Sequence, residues 1–226
     1  MDFFNNKKRV VQRAIVSAVA SSLIAFNSFA STSEDYEKAL TAFNQNEYDE
    51  AYIHLKNSLQ KDPENLAAKI LMGEILLING YLTAAEMEFV EALEMGADIN
   101  LLAEPLGNTW LFLNRYQEIV DFSDLNKLSG DAEREWLMIR ATACIRLQDE
   151  SCALRDYNTI VSRTPNFVPA INGLASIALQ NENLSKATSL INKAMSLEPE
   201  NAITWRFLFF FTLAFKAAFS SASSTN

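Results

Sequence analysis

Small, bulky and polar positions recur along this chain with a period of 34 residues. Ala51, Ala85, Ile119, Ala153 and Ala187 form one column, and four of its five members are Ala. Twelve residues earlier in each period stand Ala39, Gly73, Gly107, Ala141 and Ala175, all small. Leu55, Phe89, Tyr157 and Ile191 follow the first column by four residues, a spacing that places a small and a bulky side chain on one helix face. Small residues let two helices approach and bulky ones fill the seam. The stretches 44–48, 78–82, 113–116 and 180–184 are polar or Gly-containing and interrupt the helical period, so each is a predicted turn. Pro63, Ala97, Asp131, Pro165 and Pro199 form a third column, and Pro there ends a helix because it cannot continue one. The pattern predicts an all-α chain of stacked helix hairpins at 32–65, 66–99, 100–133, 134–167 and 168–201, with an incomplete sixth beginning at Ala202.

The third hairpin departs from its neighbours. Ile119 replaces the small residue, Ser123 and Asn126 replace a bulky and a small one, and Ser129-Gly130-Asp131 interrupts its end. A short or displaced second helix is expected, either as a hinge or as a hairpin that has drifted and still packs.

These columns resemble the tetratricopeptide repeat, whose pattern asks for Trp, Leu-Gly, Tyr, Ala, Phe, Ala and a closing Pro. Met72-Gly73, Gly80, Ala85, Phe89 and Ala92 carry the likeness in the second hairpin, and Leu174-Ala175, Ala187, Ala194 and Pro199 carry it in the fifth. The resemblance covers nearly the whole chain beyond residue 30, up to about Leu208. It implies a right-handed superhelical solenoid of antiparallel hairpins, with a concave wall built from first helices and a non-catalytic role in binding proteins or peptides. The segment 55–98 is similar, more narrowly, to exported repeat proteins that accompany exosortase (PEP-CTERM) systems and exopolysaccharide synthesis in bacteria. That likeness implies an alternative role in an envelope complex for polysaccharide export or protein sorting.

The family's concave positions, carried onto this chain, give a partner-binding face of Tyr36, Phe43, Glu74, Leu77, Asn108, Phe112, Arg146 and Asn172. At each position the alternative is packing against a neighbouring helix. Arg146 is the only cation on this wall. Where chaperone-binding members clamp a C-terminal carboxylate with Lys, Asn and Arg, this chain has Tyr36, Leu40, Ile70 and Glu74. The expected ligand is therefore an amphipathic helix or an extended apolar peptide.

The first 30 residues change the setting. Lys7, Lys8, Arg9 and Arg13 precede a charge-free run from Ala14 to Phe26, and Ser28-Phe29-Ala30 offers the small residues of a signal-peptidase site. This reads as a signal peptide over 1–30, with an uncleaved anchor as the alternative. The run is shorter than the roughly 20 residues needed to span a bilayer. Export to the periplasm or cell envelope of a Gram-negative bacterium is expected, without a lipid anchor, since Ser31 rather than Cys follows the site. Beyond Ala30 stand 15 Lys and Arg against 27 Asp and Glu, a net of −12 that repels phosphate backbones and excludes nucleic acid as an expected partner. The tail from 202 to 226 begins as a sixth repeat, with Trp205 in register. It then turns apolar at "FLFFF", which reads as a capping helix, a peripheral membrane contact or the end of a truncated larger protein. Membrane association is expected only through this tail.

Chemistry is sparse. His54 is the only histidine, and one His supplies too few ligands for zinc. Cys144 and Cys152 would enter an oxidising compartment, where they form a disulfide or pack as two small apolar side chains. No Gly lies in a phosphate-cradling loop, and carboxylate pairs such as Glu86 and Glu88 suit a solvated helix face. No catalytic residue, metal, cofactor or small-molecule substrate is expected, only a protein or peptide partner.

Overall fold

A computed structural model describes residues 34–201 together with 204 and 205. The signal peptide expected at 1–30 and nearly all of the segment expected to start a sixth repeat (202–226) lie outside the described residues. Among the described residues the architecture is all-α, as predicted. It comprises α1 (34–44), α2 (Tyr48–Lys61), α3 (Leu66–Ile78), α4 (Leu82–Glu94), α5 (Ile99–Phe112), α6 (Tyr116–Val120), a 3₁₀ turn (Ser123–Lys127), α7 (Gly130–Arg146), α8 (Glu150–Arg163), α9 (Val168–Gln180) and α10 (Leu184–Leu197). The chain divides into two compact units after Asp98.

The small columns are where the helices meet. Ala51, Ala85, Ile119, Ala153 and Ala187 are all fully buried, and so are Ala39, Ala141 and Ala175. In the first unit α1, α2 and α3 share a core of Ala39, Ala42, Ala51, Leu55, Ala68, Leu71, Met72 and Ile75, and α3 packs in turn on α4. Gly73 shows why its column must be small: a Cβ at this position would run into the ring of Phe89 on α4. Phe89 is fully buried, and burying a side chain of that size is worth about 1.5–3 kcal/mol.

In the second unit α5 contacts α6 and α7, and the pairs α7–α8, α8–α9 and α9–α10 follow in order. The third hairpin has the short second helix its sequence predicts: α6 has five residues and gives way to the 3₁₀ turn. It still packs, because Ile119 is fully buried and α6 lies against both α5 and α7. Asn100 ties the loop back to the start of α5 by accepting from the Ser129 N–H at 2.9 Å. α7 opens at Gly130, four residues ahead of the expected 134.

The five turns within hairpins close alike. Asn46, Gly80, Asn114, Gln148 and Glu182 each have a positive φ, between 55° and 78°, and they too stand 34 residues apart. In each turn the next residue's N–H donates to a carbonyl five residues back: Glu47 to Ala42, Tyr81 to Leu76, Arg115 to Trp110, Asp149 to Cys144 and Asn183 to Ala178, at 2.8–2.9 Å. This left-handed closure satisfies carbonyls that the helix end leaves unpaired. Side-chain caps start α3, α8 and α10, with Asn65, Asp149 and Asn183 accepting from the N–H groups of Ala68, Cys152 and Lys186.

Candidate binding surface

The residues expected to form a binding wall lie on α1, α3, α5, α7 and α9. In the first unit Tyr36 and Phe43 are half-buried and pack against the core, Phe43 edge-on to Tyr48 with centroids 5.7 Å apart. Burial raises the Tyr36 phenol pKa, and the nearby Glu37 and Glu74 carboxylates raise it further, so the structure brings Tyr36 and Glu74 of the predicted set together. Glu74 and Leu77 are half-buried on α3, and Ile78 at its end is 49% exposed.

In the second unit Asn108 is half-buried, and Phe112 projects from the end of α5 at 64% exposure. Arg146 is exposed, and its guanidinium lies over the Tyr116 ring, 5.7 Å from the centroid, within cation–π range. Asn172 is corrected. It is buried at 4%, and its amide exchanges hydrogen bonds with the Thr204 hydroxyl at 3.1 and 3.3 Å. A first-helix position near the end of the array has been covered by the segment that follows it.

Cys144 and Cys152 are joined as a disulfide, with Cα atoms 5.8 Å apart. Both are buried in the core of α7, α8 and α9, where the disulfide spans the left-handed turn at Gln148. The buried carboxylate of Asp156 lies within 4.8 Å of both sulfurs, but the thiolate is the metal ligand and a disulfide has none to offer. Arg140 holds Asp156 from α7 with two hydrogen bonds, at 2.8 and 2.5 Å, so this cluster ties α7 to α8. His54 is half-buried on α2, its Nε2 3.6 Å from Glu50.

Sequence reasoning missed three features. Lys69 is buried, with Glu91 at 3.0 Å and Glu88 at 3.8 Å; desolvation raises the Glu88 pKa, and Lys69 opposes that shift. Trp110, Phe122 and Trp136 form a cluster in the second unit with centroids 4.3–6.1 Å apart. Tyr52 and Tyr81 flank a cleft in the first unit at 38% and 63% exposure.

Hairpins of this size with buried small columns define a tetratricopeptide-type fold, and solved structures bear this out. The chain superposes on a tetratricopeptide repeat protein from Parabacteroides merdae with a TM-score of 0.70 at 22% identity, over 86% of this chain and 78% of that one. It superposes on PilW, a type IV pilus biogenesis factor, at 0.65 and 17%, over 84% and 94%. YrrB, a repeat protein of this type with an unusual peptide-binding site, matches at 0.59 and 17%, over 76% and 89%. Likeness at these identities shows the fold. Among curated proteins, a DnaJ homolog subfamily C member 7 homolog of Dictyostelium discoideum is 26% identical over 171 residues, 74% of this chain. The chain spans 28% of the length of that relative. No family model matches the chain.

Proposed function

We propose that this chain is a non-catalytic scaffold that holds a protein or peptide partner by equilibrium binding on its first-helix face, in the periplasm or cell envelope. The observation that carries the reading is the apolar surface left open at first-helix ends: Phe112 is 64% exposed in the second unit and Ile78 49% in the first. Large apolar side chains at such exposure suit a peptide with an apolar face, and Arg146, over the Tyr116 ring, adds one cation on the second unit's first helices. The peptide-binding site named for YrrB supports the binding class, and the pilus-biogenesis role named for PilW supports an envelope setting. No helix among the described residues is long and apolar enough to cross a membrane. A specific envelope role, alongside polysaccharide export or exosortase sorting, is the second reading, favoured by the likeness of residues 55–98.

The test is affinity capture from envelope extracts with the full chain as bait, beside a Leu77→Asp/Phe112→Asp variant of matching circular dichroism. The variant is expected to lose specific partners, and an unchanged captured set overturns the first-helix face. N-terminal sequencing of the protein recovered from its native host is expected to begin at Ser31, and recovery of an intact N-terminus from the cytoplasm overturns export.

A further inference from the structure

Where α2 meets the α3–α4 turn, the first unit has a second candidate surface distinct from the first-helix face. Its cleft holds about 390 Å³, with Tyr52 of α2 and Tyr81 of the turn among its walls, Leu76 and Ala84 as apolar lining, and Asp49 and Asn79 as polar lining. Tyr52 and Tyr81 are 38% and 63% exposed, so neither is spent on the core.

The repeat does not require these residues. One period away from Tyr52 stands Glu86, from Tyr81 stand Glu47 and Arg115, and from Asp49 stands Thr83. Two tyrosines and a carboxylate at one edge are a feature of this place in the chain rather than of the hairpin architecture.

The surrounding charge selects what would enter. Residues 34–98 carry 14 Asp and Glu against four Lys, a net of −10, whereas 99–201 carry 13 against nine, a net of −4. Three of the four lysines are held by carboxylates: Lys38 by Glu34 at 2.7 Å, Lys61 by Asp35 at 2.6 Å and Lys69 by Glu91 at 3.0 Å. The uncompensated charge of this unit is therefore strongly negative, and it attracts cations along the approach to the cleft. Aromatic faces attract a cation through the ring quadrupole, and guanidinium also stacks on them while offering a planar fork to a carboxylate. The cleft's volume suits one long side chain with its flanking apolar neighbour.

We infer that this cleft is a docking site for an arginine side chain on a basic, apolar peptide segment of a partner protein. The guanidinium stacks on Tyr52 and Tyr81 and donates to the Asp49 carboxylate, and a flanking apolar residue rests on Leu76 and Ala84. The site operates independently of the first-helix face.

The test is fluorescence anisotropy with the full-length protein and three labelled hexapeptides: Leu-Arg-Leu-Leu-Arg-Leu, the same sequence with both Arg replaced by citrulline, and the same with both replaced by Glu. The Arg peptide is expected to bind, and the citrulline and Glu peptides to bind at least tenfold more weakly. Tyr52→Ala and Tyr81→Ala are each expected to weaken the Arg peptide about tenfold and Asp49→Asn several-fold, while the Leu77→Asp/Phe112→Asp variant binds it as the wild type does. Circular dichroism checks each variant's fold, and these cleft positions lie at the surface. Several results overturn the site: no binding of the Arg peptide up to millimolar concentration, equal binding of the citrulline peptide, or affinity that none of the three cleft variants changes. Loss of binding only in the Leu77→Asp/Phe112→Asp variant overturns it too, by moving the cationic peptide to the first-helix face.

Discussion

In the second hairpin the ring of Phe89 on α4 lies where a Cβ on Gly73 of α3 would have to be. In the third hairpin Ser123 occupies the position equivalent to Phe89, and the site at Gly107 of α5 is met by Trp136 and Ile139 of α7. One hairpin thus fills the groove beside its first helix from its own second helix, and the other borrows the filling from the next hairpin. The column of small residues marks a groove that something must fill, and the repeat pattern does not dictate what. Loss of the bulky residue in the third hairpin is compensated by Trp136, fully buried, with Phe122 at 4.3 Å and Trp110 at 6.1 Å between centroids. Ile119, fully buried where other hairpins have Ala, fits because α6 is only five residues long and its neighbourhood is not that of two full helices crossing.

The largest break in this comparison should come from removing the borrowed residue. Trp136→Ala is expected to destabilise the protein by about 4 kcal/mol, because it empties a fully buried aromatic site that α6 has no side chain to refill. Trp136→Phe should cost far less, since the indole Nε1 is buried with no hydrogen-bond partner among the described residues and its loss forfeits no bond. Chemical denaturation of both variants checks this, and equal losses would make the cluster a bystander. Next comes an exchange of the column residues. Making the third hairpin look regular with Ile119→Ala is expected to cost about 3 kcal/mol by leaving a cavity. Making the fourth look like the third with Ala153→Ile should cost about 2 kcal/mol by overpacking. If Ile119→Ala stabilises instead, the third hairpin is merely degraded.

The fourth hairpin keeps all its columns and adds cross-links. Closing a loop of this separation is worth about 2.5 kcal/mol in a chain-entropy account. Cys144→Ala/Cys152→Ala is expected to lose that amount. Thermal melting with and without dithiothreitol provides the check: reductant should lower the wild-type midpoint and leave the variant's unchanged. Wild-type midpoints that coincide in both buffers would mean the disulfide does not stabilise the fold.

The period, the helices and the buried columns were legible because close helix approach admits few residue types, so geometry writes a strict code in Ala and Gly. The short α6 was legible for the same reason, as a failure of that code at Ile119 and Ser123. The aromatic cluster was not, because Trp136 comes from a different hairpin than Trp110 and Phe122 and no fixed spacing ties the three. Five of the eight predicted wall residues are partly buried, and two of them show a related reason: Tyr36 and Phe43 are first-helix positions that also sit on the core of their own unit. Asn172 could not be placed without knowing that Thr204 would reach it. The Tyr52–Tyr81 cleft escaped notice because it joins residues 29 apart with no equivalent in other repeats. The left-handed column escaped because it holds Asn, Gly, Asn, Gln and Glu, which share no side-chain chemistry, only a backbone conformation.

That column gives the finest test, since it reverses the ranking of the two hairpins. The irregular third hairpin has Asn114 at its left-handed position, a residue that tolerates φ near +60°, whereas the regular fourth has Gln148 at φ 61°. A left-handed L-residue is penalised by roughly 1–2 kcal/mol, and glycine avoids that penalty while bringing more unfolded-state entropy. Gln148→Gly is therefore expected to stabilise by about 0.5–1 kcal/mol, with Glu182→Gly similar. Asn114→Gly should give less or nothing, because it also removes the oxygen that accepts from the Tyr116 hydroxyl. Denaturant midpoints for the three variants decide the matter. Should Asn114→Gly gain as much as Gln148→Gly, the turn sequence is not what distinguishes the hairpins, and the third hairpin's tolerance of its lost column rests on the aromatic cluster alone.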